Sequence, residues 1–125
     1  MKLFTVEEAN ALLPTVRGTV GRIQRAYASV SAAQEQARLA AGGAALGGGG
    51  MEGGPAYVLA LTELAEASGE LEALGVQLKD YERGLIDFPA MREGRVVLLC
   101  WQMGEGDELE WWHDLEAGFA GRRPL

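Results

Sequence analysis

The first forty residues carry apolar side chains at intervals of three and four. This spacing predicts one long amphipathic helix or a coiled-coil seam. Thr5 and Glu8 form a capping box at its start, with Phe4 in the preceding staple position. Pro14 removes one helical hydrogen bond, so we expect a kink near Leu13 or a new helix there. The stripe consists of Ala9, Leu12, Val16, Val20, Ile23, Tyr27 and Val30.

A second stripe with helical spacing runs from about Pro55 to Leu74 and ends at Gly75, a residue suited to a helix stop. Basic residues lie on the first helix and acidic residues on the second, so the pattern predicts a helical hairpin over residues 5–75. Between the helices, residues 42–54 contain eight glycines. This composition predicts a flexible connector, and the absence of Lys and Thr disfavours a phosphate-binding loop.

After residue 75 the apolar pattern changes to the alternation of strands. We expect three or four antiparallel strands in residues 76–125, with a turn at 104–107 and an apolar run that ends at Pro89. The chain is thus predicted to be a single α+β domain over residues 1–125. We expect Trp101 and Trp111 to anchor the sheet to the helices, and Trp112 to be partly exposed.

Net charge and apolar runs narrow the classes of partner. The chain of 125 residues carries a formal charge of −7, which disfavours nucleic acids and anionic membrane surfaces because both are bound through Lys and Arg. No apolar run reaches the length of about 20 residues that a membrane span needs. The single cysteine cannot form an internal disulfide, so we expect a cytoplasmic location.

Four strings of residues are similar to a known family: FTVEEANALLP, LKDYERGLIDFP, GRVVLLCWQMGE and WWHDLEAGFAGRRPL. They resemble the small bacterial proteins grouped as domain-of-unknown-function family 2203. The resemblance covers both ends of the chain and leaves out the glycine-rich middle. It implies a bacterial, cytoplasmic protein, and it brings no agreed activity with it.

The C-terminal third holds residue types that bind zinc or iron. Their spacing contains no metal motif, so proximity depends on the strand register. A four-residue loop at 104–107 places Cys100 opposite Trp111 and His113 diagonally on the same face, whereas a five-residue loop sends the two to opposite faces. The plainer alternative is a small core cysteine and a half-buried histidine. The candidate metal ligands are Cys100, His113, Glu105, Asp87 and Glu116.

Two other chemistries compete for the same segment. Cys100 and His113 would make a nucleophilic dyad if the thiol were exposed, but the run VVLLCW predicts a buried thiol with a raised pKa. Arg122 and Arg123, together with Arg92 and Arg95, are suited to clamp a phosphate or carboxylate, although surface salt bridges to Glu108, Glu110 and Glu116 are the favoured explanation. Trp112 is the aromatic candidate for the same ligand site.

The sequence favours a small binding or interaction module over an enzyme, since no catalytic spacing is present. Two helices cannot enclose an apolar seam alone, so we expect a homo-oligomer formed through the helical hairpin. The alternative is a metal-binding protein or metal-dependent enzyme with its site in the C-terminal third. The identity of any protein or small-molecule partner is open at this point.

Overall fold

The computed structural model describes residues 1–43 and 54–125, which form two helices followed by a five-stranded sheet. The helices are α1 (Val6–Gly43) and α2 (Gly54–Ala73). The α+β prediction is confirmed, with one strand more than the upper expectation. Most of the predicted connector 42–54 lies outside the described residues, and its terminal glycines belong to the helices. The strands are β1 (Gln77–Asp80), β2 (Leu85–Arg92), β3 (Arg95–Gln102), β4 (Trp111–Asp114) and β5 (Arg123–Pro124), with a 3₁₀ turn at Phe119–Gly121.

Helix α1 begins with the predicted capping box. The backbone N–H of Thr5 donates to Glu8 Oε1 at 3.1 Å, and the N–H of Glu8 donates to Thr5 Oγ1 at 3.0 Å. Pro14 lies inside one continuous helix, so the expectation of a new helix at this position is wrong. The neighbouring Leu13 and Val16 are fully buried while Pro14 is exposed. The apolar contacts on the buried side therefore outweigh the single lost hydrogen bond.

Helix α2 packs on α1 and ends in a Schellman motif. Arg22 of α1 pairs with Glu63 at 2.7 Å and also with Glu70, as the distribution of charge over the two helices predicts. Gly75 has a φ of 86°, its N–H donates to the carbonyl of Glu72, and the next N–H, of Val76, donates to the carbonyl of Leu71. This turn leads the chain directly into β1. No helix among the described residues has the length and apolar character needed to cross a membrane.

The sheet has the strand order β1-β2-β3-β4-β5, and every neighbouring pair is antiparallel. Strand β2 continues through Pro89, so the expected end of the apolar run at that residue is corrected. Pairing with β1 ends at Asp87, and beyond it the carbonyl of Pro89 accepts a hydrogen bond from the N–H of Phe4 at 2.7 Å. Proline is tolerated at position 89 because the β1–β2 pairing has ended there, so no backbone N–H donor is required on that side.

The two faces of the sheet have different neighbours. The inner face packs on the helices and belongs to the main apolar core, with Ile86, Phe88, Ala90, Val97, Leu99, Trp101 and Trp112. The outer face points away from the helices, and the C-terminal segment, residues 115–122, meets it where Arg122 stacks on Trp111. The outer face contains Leu85, Asp87, Pro89, Leu98, Cys100, Trp111 and His113.

This division of faces corrects two expectations about the tryptophans. Trp101 does anchor the sheet to the helices, with 1% of its surface exposed. Trp111 does not, because it pairs with Cys100 and shares the outer face with it. Trp112 pairs with Leu99 on the inner face and is 7% exposed, so the prediction of partial exposure is wrong. Strand alternation forces adjacent tryptophans to opposite faces.

Candidate metal site

Three strands bring Asp87, Cys100 and His113 together on the outer face. Asp87 pairs with Cys100 across β2 and β3, and Cys100 pairs with Trp111, two residues before His113. The carboxylate, thiol and imidazole atoms all lie within 4.8 Å of one another. The register is the one that a four-residue loop produces. The shared face of Cys100 and His113 is thereby confirmed, and the five-residue alternative is wrong.

All three side chains are removed from solvent. Asp87 and Cys100 are each 1% exposed and His113 is 2% exposed, so the histidine is fully rather than half buried. A buried carboxylate is costly unless a partner satisfies it. His113 Nε2 lies 3.1 Å from Asp87 Oδ1, which makes the imidazole that partner. The cluster is therefore a connected polar group inside an otherwise apolar layer.

The hydrogen bond made by His113 Nδ1 limits the protonation states that are open to Nε2. His113 Nδ1 lies 2.8 Å from the backbone carbonyl oxygen of Asp114. A carbonyl oxygen only accepts, so Nδ1 carries a proton and donates it. Nε2 then faces the Asp87 carboxylate either as a second N–H of an imidazolium ion or as a bare lone pair. A lone pair in that position repels the carboxylate unless a cation, or the proton of a neutral Asp87 carboxyl group, lies between them.

The thiol of Cys100 is not poised as a nucleophile. Burial raises the pKa of Cys100 to about 12, and the nearby carboxylate of Asp87 adds to the shift. Both nitrogens of His113 are engaged by the Asp114 carbonyl and by Asp87, so neither is free to act as a base for the thiol. This geometry argues against the cysteine–histidine dyad and leaves the thiol as a ligand or a core residue.

Glu105 lies outside the cluster and holds Arg122 instead. Its carboxylate accepts two hydrogen bonds from the Arg122 guanidinium, at 2.6 and 2.7 Å, and one from the Gln102 N–H at 2.6 Å. Burial alone would raise the pKa of Glu105, but these hydrogen bonds hold it below its usual range. Arg122 also donates to the carbonyl of Cys100 at 3.3 Å. The pair fastens the C-terminal segment beside the cluster.

The remaining candidates lie elsewhere. Glu116 is exposed in the turn after β4 and does not join the cluster. Arg123 stacks on the ring of Trp112 at 5.3 Å, where Arg92 and Arg95 also converge at 4.9 and 5.8 Å. A ligand contact made by Arg123 and Trp112 stays a prediction. Arg122 pairs with Glu105 and not with the three glutamates suggested by the sequence.

Comparison with known proteins identifies the family and no more. A family model described as an uncharacterized conserved protein (DUF2203) matches residues 2–125. The chain belongs to the DUF2203 family. No curated protein and no solved structure matches it. The resemblance seen at both ends of the sequence thus extends across the glycine-rich middle, and the chemistry of this DUF2203 protein has to be argued from its own site.

The donor set of the DUF2203 chain suits a thiophilic divalent ion. Bonds of about 2.0–2.1 Å to nitrogen and oxygen place two tetrahedral ligands roughly 3.3 Å apart. The separation of 3.1 Å between His113 Nε2 and Asp87 Oδ1 is close to this value. A thiolate at about 2.3 Å supplies the third donor and favours zinc among the divalent metals.

Two features of this site have no sequence signal. The acceptor for His113 Nδ1 is a backbone carbonyl, which no residue pattern reveals. Glu105 and Arg122 are 17 positions apart and meet only because the turn after β3 and the C-terminal segment lie together. The strand register carries the signal for the cluster itself, since it follows from the length of the loop at 104–107.

Proposed function

We propose that this protein binds one zinc ion through Asp87, Cys100 and His113. The observation that supports the proposal best is the orientation of the imidazole, whose Nδ1 donates to the Asp114 carbonyl while Nε2 faces the Asp87 carboxylate. Metal-ligating histidines characteristically donate their other ring N–H to a carbonyl or carboxylate. A cation between Nε2 and Oδ1 removes the repulsion between two acceptors.

The ligand set also accounts for the position of the thiol. Cys100 lies beside an acid that raises its pKa, and a bound divalent ion would replace the thiol proton and neutralise both anions. Three protein ligands leave a fourth position of the tetrahedron, which the second oxygen of Asp87 or a water molecule would fill. Iron is the runner-up because it accepts the same donor types.

We assign the ion a structural role and not a catalytic one. All three ligands are at most 2% exposed, so a substrate would have no open path to the metal. The ligands come from three adjacent strands, and an ion there would tie β2, β3 and β4 together on the face that the helices do not cover. A reducing cytoplasm suits such a site, because it keeps the single thiol available.

Elemental analysis of protein purified without an affinity tag tests the proposal. We expect close to one zinc per chain, and we expect Co²⁺ added to chelator-treated protein to give the charge-transfer absorption of a cobalt–thiolate bond. Cys100→Ser should abolish that band, and His113→Ala should weaken binding by at least tenfold. Glu116→Ala is the matched control, since it removes an acid of the same segment from outside the cluster.

The titration of unmodified protein keeps the test independent of how the variants fold. Absence of zinc after purification, together with no cobalt–thiolate band on titration, overturns the proposal. A band that survives Cys100→Ser also overturns it, because the thiolate would then come from no residue of this chain. In the first case His113 and Asp87 are a buried polar pair without a metal.

An interaction module is the second candidate function, and a separate observation favours it. Helix α2 exposes 59% of Val58 and 70% of Leu59. Large apolar side chains side by side on a helix surface are typical of a contact with another molecule. A structural ion in the sheet is compatible with this role, since it would stabilise the domain that carries the helices.

A further inference from the structure

The first half of helix α2 is apolar and uncovered. Within α2 the apolar core begins at Leu64, and only Ala67 and Leu71 are fully buried. The preceding turns read PAYVLALT and expose Val58, Leu59 and Leu61 by 59%, 70% and 40%. Single exposed leucines are common, but these three large apolar side chains follow one another around the exposed side of α2, with Val58 between Leu61 and Leu59, and together form an apolar patch.

A groove between α1 and α2 lies beside this patch. It encloses about 590 Å³, and Leu59 stands at its edge. Small side chains allow another helix to approach closely and let larger side chains enter between the ridges. The groove is therefore shaped to receive apolar side chains such as those of the patch itself. Its small lining residues are Ala26, Ser29, Ala32, Ala33, Ala56 and Ala60.

The charges around the groove are self-complementary. Arg25 lines the groove on α1, and Glu66 lies two helical turns after Leu59 on the same face of α2. Neither of them forms a salt bridge within residues 1–43 and 54–125. If α1 of one copy packs against α2 of another, each arginine faces a glutamate. A two-fold axis makes this contact twice.

The available area is sufficient for a stable contact. Helix α2 has 20 residues and so extends about 30 Å, and two helices side by side are about 20 Å wide. The hairpin therefore offers roughly 600 Å² per subunit, or about 1,200 Å² in total, which is at the lower end of stable protein interfaces. The complementary charges and the apolar centre add to the affinity that this modest area provides.

We propose that the hairpin surface, defined by Val58, Leu59, Leu61 and the groove beside them, binds a second copy of this chain. The two hairpins form a four-helix bundle with two-fold symmetry, in which Leu59 of each copy enters the groove of the other. The sheets lie at the two ends of this assembly, away from the contact. The proposal is independent of the metal site, because no residue of the Asp87–Cys100–His113 cluster lies on the hairpin.

Light scattering coupled to size-exclusion chromatography tests the dimer, with chelator present so that no bound metal contributes. Unmodified protein at tens of micromolar should have the mass of two chains, about twice 13.3 kDa. Leu59→Asp should halve that mass and leave the helix content unchanged. Circular dichroism checks the helix content, because aspartate has a lower helix propensity than leucine.

A matched control separates loss of the contact from a general effect of charge. Met91→Asp places the same charge on a side chain that is 53% exposed on the sheet, and it should leave the mass at two chains. A monomeric unmodified protein at tens of micromolar overturns the proposal. A dimer that persists in Leu59→Asp overturns it as well, because the contact would then lie elsewhere.

Discussion

The inner and outer faces of the sheet are buried to a similar extent, but only the outer face buries a polar cluster within its apolar layer. On the inner face Phe88, Leu99 and Trp101 are at most 2% exposed and contact other apolar side chains. On the outer face Asp87, Cys100 and His113 are equally buried and contact one another. The two helices pack on the inner face, whereas the C-terminal segment, residues 115–122, contacts the outer face.

The difference separates a face that stabilises the fold through apolar burial from a face that also buries three polar side chains. Burial of apolar surface stabilises by about 25 cal/mol per Å², so the inner face needs no further explanation. A buried carboxylate beside an imidazole is rarely worth its desolvation, and apolar residues of similar size often stabilise a protein more. The outer face therefore carries a group of residues that stability alone does not select.

The largest effect should come from the inner face. Phe88 is fully buried and its ring meets that of Phe4 edge-on, with centroids 5.3 Å apart. Phe88→Ala removes these contacts and leaves a cavity, so we expect a loss of about 3–5 kcal/mol in the free energy of unfolding. Urea denaturation measures it. Met91→Ala, at an exposed position of the same strand, should change stability by less than about 0.5 kcal/mol.

On the outer face, a single change should cost more than a double change. His113→Leu leaves the Asp87 carboxylate buried without its imidazole partner, so we expect a loss of about 3–5 kcal/mol in metal-free protein. Adding Asp87→Val removes the orphaned charge and should recover most of that loss. Urea denaturation in chelator compares the two variants. If the double variant is as unstable as the single one, the pair is held by packing and not by charge.

The sequence predicted features that depend on neighbours in the chain better than features that depend on long-range contacts. The capping box of Thr5 and Glu8 and the stop at Gly75 depend on neighbours in the chain, and the structure has both. The shared face of Cys100 and His113 was one of two alternatives that depended on the length of the turn after β3, and the register of β3 and β4 decides between them. The burial of Trp112 was missed because exposure depends on which face the helices cover, and that is a tertiary property.

Glu105 should have an intermediate and pH-dependent effect. Its hydrogen bonds to Arg122 are charge-assisted, so Glu105→Gln should cost about 1–3 kcal/mol at neutral pH. The folded pKa of Glu105 lies below its ordinary value of 4.5, so its contribution to stability is present above pH 4.5 and is lost as the pH falls through the folded pKa.

The acid limb of the stability curve checks this effect. Unmodified protein should lose stability more steeply than Glu105→Gln as the pH falls below 4.5, since the variant has no carboxyl group to protonate at this position. Glu116→Gln is the matched control, because that acid is exposed, and its curve should follow the unmodified protein. Identical acid limbs for Glu105→Gln and the control would show that Arg122 gains nothing from the charge.

The smallest effect should lie at the edge of the inner face, where Arg92, Arg95 and Arg123 surround Trp112. A cation over an aromatic ring stabilises by about 0.5–1 kcal/mol where the cation itself stays exposed, as Arg123 does. Arg92 and Arg123 are 4.9 and 5.3 Å from the ring centroid, so they are at most about 10 Å apart and repel by at least roughly 0.4 kcal/mol in water.

The attraction of Arg123 to the Trp112 ring and its repulsion from Arg92 nearly cancel. Arg123→Gln should therefore change the free energy of unfolding by less than about 0.5 kcal/mol at low salt. Salt screens the repulsion between the guanidiniums more than the contact of Arg123 with the ring, because the contact is shorter. The substitution should therefore become more destabilising in about 1 M salt. Urea denaturation at both ionic strengths measures the difference. A cost that shrinks with salt would mean that Arg123 acts through an ion pair and not through Trp112.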